Sequence, residues 1–169
     1  MSDSLTRPFS TADGSPNPGL TEFCELVDAV PMPMWIGDQR GETIYHNRAW
    51  QEFSGRSPEA DLRLGWLELV HPADRARAQQ HLTELVSTGA ERSCDYRVRR
   101  ADGEYRLLRE RSQGRHDAKG RLLGFVGTRA DVTESHETEK RLTLETLRQS
   151  ALINFGQRTL DDPPLAELA

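Results

Sequence analysis

An α+β domain, with helices covering one side of an antiparallel sheet, is predicted by three features of the 169-residue sequence. After Gly89, Cys94, Tyr96 and Val98 alternate with Asp95, Arg97 and Arg99, the period of a strand with one buried face. Asp102-Gly103 follows as a hairpin turn and starts an antiparallel meander. Ahead of it lie two short apolar runs and then several helical stretches, without the repeated strand-helix alternation of a parallel sheet.

Residues 1–19 hold Pro8, Gly14, Pro16, Pro18 and Gly19 among small polar residues, with little apolar surface to bury, and are expected to form a disordered leader. From Leu20, the residues Phe23, Leu26, Val27 and Val30 recur at helical spacing until Pro31 and Pro33 stop the helix. Met34 to Ile36 and Thr43 to His46 read as short strands joined by the polar turn Asp38 to Gly41. Asn47 is expected to cap a helix containing Ala49, Trp50 and Phe53 that ends at Gly55. Ser57-Pro58-Glu59 suits a short helix start, and Leu64, Trp66, Leu67, Leu69 and Val70 form an apolar cluster that must reach a core.

A longer helix is expected from near Pro72 to Gly89, with Asp74 at its positive end and Ala78, Leu82 and Leu85 on its buried face. After the first meander strand, the second arm is expected over Glu104 to Ser112. A polar loop from Gly114 to Gly120 then leads to a third strand with Leu122, Leu123, Phe125 and Val126. From Thr133 the sequence turns helical, and Leu144, Leu147 and Ala151 follow the spacing of an oligomeric seam. Asp161-Asp162-Pro163-Pro164 breaks it. The expected organisation is a leader at 1–19, a domain at 20–134, a linker helix at 135–160, and at 161–169 the truncated start of a following domain.

A net charge of -5 lacks the basic footprint of a dedicated nucleic-acid binder. Residues 91–121 are locally basic, with ten Arg or Lys against six Asp or Glu, and are expected to be a wet sheet face laced with cross-strand ion pairs. Cys24 and Cys94 lie far apart and outside any metal-ligand spacing, so free thiols are expected. No segment approaches the about 20 apolar residues that cross a bilayer, nor is there a signal-peptide pattern. The cytoplasm is the simplest location, with no membrane contact by this segment.

Three ordered stretches resemble the PAS family with its C-terminal PAC motif. They are Gly65-Trp66-Leu67-Glu68-Leu69-Val70-His71-Pro72-Ala73-Asp74-Arg75, the hairpin from Tyr96 to Arg106, and Gly127-Thr128-Arg129-Ala130-Asp131-Val132-Thr133-Glu134. The last resembles the Asp-Ile-Thr signature that ends the domain, with Val132 in place of isoleucine. The segment from Ala151 to Leu160 also resembles the first helix of a GAF domain. The resemblance implies a five-stranded sheet in spatial order 2-1-5-4-3, numbered along the chain, with helices enclosing a ligand cavity. It further implies a sensor or dimerisation module feeding a histidine kinase foremost, or a nucleotide cyclase or phosphodiesterase. Fold alone does not settle which, since many members are contact modules without a small ligand.

Trp50, Phe53, Trp66, Tyr96, Leu108 and Phe125 are the candidate lining of an apolar pocket for a flat or acyl ligand, the alternative being that they fill the core. No cofactor is predicted: neither cysteine has the surroundings of a flavin-reactive thiol, and His81 lies out of register with the family's haem ligand. His71, His46 and Asn47 suit structural junctions, and His136 an ordinary helix position. No Ser-His-Asp set, phosphate loop or metal cluster is present in the sequence pattern, so no catalytic or metal site is expected. Asp131, Val132 and Thr133 are the expected signal junction, with Thr133 as helix N-cap and Asp131 bound to backbone or to Arg97, Arg99 or Arg129. Phe23, Leu26, Val27, Leu142, Leu144, Leu147 and Ala151 are the expected contacts of a parallel homodimer.

Overall fold

The computed structural model describes residues 18–161, with side chains over 22–151; the expected leader up to residue 17 and the expected following domain from 162 lie outside the described residues. The elements are α1 (Pro18–Asp28), β1 (Met34–Gly37), β2 (Thr43–His46), α2 (Arg48–Ser54), α3 (Arg75–Thr88), β3 (Arg92–Arg99), β4 (Tyr105–His116), β5 (Leu122–Asp131) and α4 (Thr133–Asp161). Three single 3-10 turns, Pro58–Asp61, Gly65–Glu68 and Pro72–Asp74, connect α2 to α3. The chain divides into two compact units at Val132/Thr133.

In the first unit the five strands form one antiparallel sheet in the order β2-β1-β5-β4-β3, as the resemblance implied. Both sheet edges are occupied, which blunts their capacity to template aggregation. Thr43 and Arg63 exchange backbone bonds at the β2 edge (3.2 and 2.7 Å). At the β3 edge His71 donates its backbone N–H to the Arg97 carbonyl (2.9 Å) and Arg99 donates to Leu69 (2.9 Å).

α1 begins at Pro18, two residues before the expected boundary, which suits a residue that has no N–H to lose in a first turn. α2 is capped as expected: Asn47 Oδ1 accepts from the N–H of Trp50 (3.2 Å). The same side chain does more than the sequence suggested. Its Oδ1 also accepts from Met34 N–H (2.9 Å), and its Nδ2 donates to the carbonyls of Val27 (3.1 Å) and Met32 (2.9 Å). One buried amide thus ties α1, β1 and α2 together, its oxygen serving backbone N–H groups of β1 and α2 and its nitrogen serving carbonyls at the end of α1 and in the Pro31–Pro33 stretch. Gly55 and Gly89 end α2 and α3 in the left-handed conformation.

β4 runs to His116, four residues beyond the expected Ser112, and takes in the first three residues of the expected loop. Cross-strand pairing decides this: Gln113, Gly114, Arg115 and His116 pair with Val126, Phe125, Gly124 and Leu122. The remaining turn is held by Asp117, whose Oδ1 accepts from the N–H groups of Lys119 and Arg121 (both 2.9 Å), a side chain mimicking backbone. The outer face carries the expected ion pairs, Arg109 with Asp95 (2.7 Å) and Arg111 with Glu91 (2.6 Å).

Candidate functional site

β4 and β5 place alternate residues on the inner face, under the layer of α2, the 3-10 turns and α3. On β4 these are Leu108, Glu110 and Ser112; on β5 they are Phe125, Gly127 and Arg129. The inner face is therefore not purely apolar. Arg129 is 1 % exposed and Glu110 2 %, and their side chains meet with Arg129 Nε donating to Glu110 Oε2 (2.9 Å). Arg129 Nε also donates to the Tyr96 hydroxyl oxygen (3.0 Å), while that hydroxyl donates to Glu110 Oε2. His81 from α3 completes the group, its Nε2 lying 2.9 Å from Ser112 Oγ and 3.5 Å from Glu110 Oε1.

Three indoles enclose the cation. The Arg129 guanidinium carbon lies 4.4 Å from the Trp50 ring centre, 4.7 Å from that of Trp66 and 5.9 Å from that of Trp35. Each desolvated contact of this kind contributes up to about 2 kcal/mol. Gly127 is what admits Trp35 here: a Cβ at that position would stand 2.3 Å from Trp35 Nε1. Trp50 is fixed by Asp61, whose buried Oδ2 accepts from Trp50 Nε1 (2.8 Å), and by His46 stacked on its ring at 5.0 Å.

The titration behaviour follows from burial and charge. Burial alone favours the neutral acid of Glu110, but the Arg129 charge and the bonds from His81 and Tyr96 reverse this and bring it to about 2. Burial, followed by the Arg129 charge, lowers His46 to about 3, so its ring is neutral and donates or accepts as an ordinary core group. Burial raises both free thiols, Cys24 and Cys94, away from the reactive thiolate form.

Ser112, His81 and Glu110 bring nucleophile, base and acid types together, yet the geometry is wrong for hydrolysis. A triad uses opposite ring nitrogens for serine and carboxylate. Here both partners lie against the same Nε2. Among the described residues no group of three or more His, Cys, Asp or Glu side chains could hold a metal ion, and no helix is long and apolar enough to cross a membrane.

Of the six candidate pocket residues, Trp50, Trp66, Tyr96 and Leu108 share one buried cluster with Phe53 packed against it. Phe125 sits in a second cluster with Trp35 and Leu85. The charged centre of this site was not expected. The sequence offers Arg129 as a partner for Asp131 and sets Glu110 within the wet basic stretch; strand alternation from Leu108 and from Phe125 is the signal that places both inside.

At the junction, Asp131 Oδ2 accepts from Arg106 Nε (2.8 Å), and Val132 N–H donates to the Leu107 carbonyl (2.9 Å). None of the three arginines expected from sequence is the one that binds Asp131 here. Arg97 binds Asp74 and, like Arg99, lies on β3, which β4 separates from β5; Arg129 is turned into the core. Arg106 is reached because Leu108 pairs with Asp131, making Arg106 its diagonal neighbour. α4 takes Thr133 as its first residue, one place inside the cap position expected of it. Val27 is buried in its own domain, whereas Phe23 and Leu26 are 43 % and 65 % exposed; Leu142, Leu144 and Leu147 are 55–60 % exposed on α4.

Asp74 joins α3 to the β3 edge, accepting from Arg97 Nε (2.7 Å), Nη2 (3.0 Å) and N–H (3.0 Å). These bonds from Arg97 hold its acid at about 2. A depressed carboxylate stabilises the fold fully above its unfolded value near pH 4 and ceases to do so as pH falls through about 2. Because Arg97 is partly solvated, the contribution is expected to be about 1 kcal/mol. Urea unfolding at about pH 6 and about pH 3 should therefore show a smaller pH difference for Asp74→Asn than for the wild type, by about half that amount because pH 3 lies between the unfolded and folded values; an equal difference in both would contradict it.

Comparison with known proteins agrees with the sheet order. The family described as PAS fold matches residues 43–129. An uncharacterized protein of Sinorhizobium fredii is 31 % identical over 122 residues, 72 % of this chain and 15 % of that protein. The peroxide stress-activated histidine kinase of Schizosaccharomyces pombe is 24 % identical over 151 residues, 83 % of this chain and 9 % of the kinase. The chain thus spans only a small part of these curated relatives. Among solved structures, a sensory box histidine kinase/response regulator from Burkholderia thailandensis is 26 % identical over 76 % of this chain and 98 % of that one, with a TM-score of 0.54. The N-terminal domain of a diguanylate cyclase with PAS/PAC sensor from Marinobacter aquaeolei, 20 % identical, shares the fold over 62 % of this chain and 97 % of that one, with a TM-score of 0.54. With the sheet order of that fold and the match over 43–129, the chain belongs to the PAS-fold family.

Proposed function

We propose that this chain is a cytoplasmic sensory and dimerisation module, without catalysis of its own, that relays a ligand or partner signal through α4 to a downstream effector, foremost a sensor histidine kinase. The observation that carries this is the junction. β5, which supplies Arg129 to the core, ends at Asp131 under the grip of Arg106, and only Val132 separates it from the first residue of α4. A change felt at the core is thereby passed along one strand to the base of one helix. The histidine-kinase relatives support that choice of effector, and the diguanylate cyclase sensor domain supports a cyclase or phosphodiesterase as the other. The close packing of Trp50, Trp66, Tyr96 and Leu108 supports a second reading, a ligand-free module that only dimerises and spaces its effectors.

Asp131→Asn and Arg106→Gln in the full-length protein test the junction. A pair this exposed contributes about 1 kcal/mol or less, so the melting temperature should fall by only about 2–8 °C. Effector output with and without stimulus should change more, since a bistable element with a gap of a few kcal/mol is rebalanced by that amount. An unchanged stimulus response in both variants would reduce the junction to a structural terminus.

A further inference from the structure

Arg129 keeps a full charge in the interior but engages only one of its three guanidinium nitrogens. Nε serves Glu110 and Tyr96, while Nη1 and Nη2 are buried without any acceptor. Trp35, whose ring also faces this guanidinium, has a buried indole N–H in the same condition. A side chain present only to fill space would be apolar, and one present only to pair with Glu110 would offer its fork rather than Nε to the carboxylate.

The unmet groups at this point are N–H donors on a planar cationic edge, so the complementary species carries two acceptor oxygens and a negative charge. The Trp50 and Trp66 rings, with centres 4.4 and 4.7 Å from the guanidinium carbon, supply apolar surface beside that requirement. We propose that Arg129 anchors a site for a short-chain carboxylate, its two oxygens on the Nη edge and its alkyl body against the Trp50 and Trp66 rings. This rests on reading the domain as a sensor and names the ligand class of that sensor. Entry requires one wall to move, because neither Nη atom has solvent-accessible surface. Trp66 is the wall held on the least structure, a single 3-10 turn at Gly65–Glu68, whereas Trp50 is tied to Asp61. Arg129 precedes Asp131 by two residues on β5, so an anion drawing on this guanidinium acts on the strand that feeds α4.

The test is a titration of the full chain with sodium formate, acetate and butyrate, sodium chloride holding ionic strength constant, followed by tryptophan emission and melting temperature. At least one carboxylate is expected to give a saturable change in both readouts below about 50 mM, the range open to ligands of so few atoms. Half-saturation should weaken about tenfold or more in Arg129→Lys, which keeps the charge but loses the fork. It should vanish in Arg129→Met combined with Glu110→Met, which removes the pair together and leaves neither charge stranded in the core. No saturable change in the wild type, or equal half-saturation in the double variant, would overturn the site. That failure is separable from failure of the sensor reading, because the Asp131 and Arg106 variants report on the junction whether or not a carboxylate binds.

Discussion

Arg129→Met is expected to destabilise the domain by about 3–5 kcal/mol, and adding Glu110→Met is expected to restore most of the loss. The single substitution removes the cation that holds Glu110 ionised at 2 % exposure, so the carboxylate must either stay charged in an apolar interior or take up a proton. It also removes the N–H that donates to the Tyr96 hydroxyl and the cation packed against the Trp50 and Trp66 rings. The double substitution leaves two thioether chains among indoles, with no charge to desolvate, and methionine adapts to irregular space. Denaturant melts of the wild type, both single variants and the double variant give the coupling directly. Equal, additive losses from the two substitutions would mean that the pair is not a unit, and the account of the core would be wrong.

Trp50→Ala is expected to cost a similar 3–5 kcal/mol, while Trp50→Phe should cost about 1–3 kcal/mol. The ring is fully buried between the guanidinium and His46, with Phe53 at 5.8 Å, so truncation opens a cavity among groups that cannot all close on it. Phenylalanine refills part of that space but leaves Asp61 Oδ2 without the indole N–H at 2.8 Å. The difference between the two variants therefore separates packing from the Asp61 bond. A loss below about 1 kcal/mol for Trp50→Ala would place the indole outside the load of the core.

The fold was legible wherever local chemistry and tertiary demand agree. Asn47 before an apolar run, Gly55 and Gly89 after one, and Asp102-Gly103 between alternating arms each mark their element because the backbone there has few other choices. The end of β4 was illegible for the converse reason. Gly114, Arg115 and His116 have the composition of a loop and are strand only because β5 lies beside them. The candidate aromatic residues were legible as buried, since size and apolarity drive them inward. What they surround was not. A sequence assigns Glu110 and Arg129 to water by default, and the cost of burying either alone is large; only their pairing across β4 and β5 makes both tolerable. The Arg106 partner of Asp131 has the same origin, a register that no single strand encodes. Among the expected dimer contacts on α1, Val27 is buried in its own domain while Phe23 and Leu26 are exposed, a division that helical spacing alone does not make.

We propose that paired α4 helices carry the output, through contacts at Leu142, Leu144, Leu147 and Ala151 on α4 and at Phe23 and Leu26 on α1. Three leucines more than half exposed on one helix need a partner surface, and residues 144, 147 and 151 repeat at the spacing of a two-helix seam. Sedimentation equilibrium of the chain at about 100 micromolar, beside a Leu144→Glu/Leu147→Glu variant, tests this most directly. The wild type is expected to be a dimer and the variant a folded monomer with unchanged melting of the PAS unit; a wild type that remains monomeric at that concentration would overturn the pairing of α4.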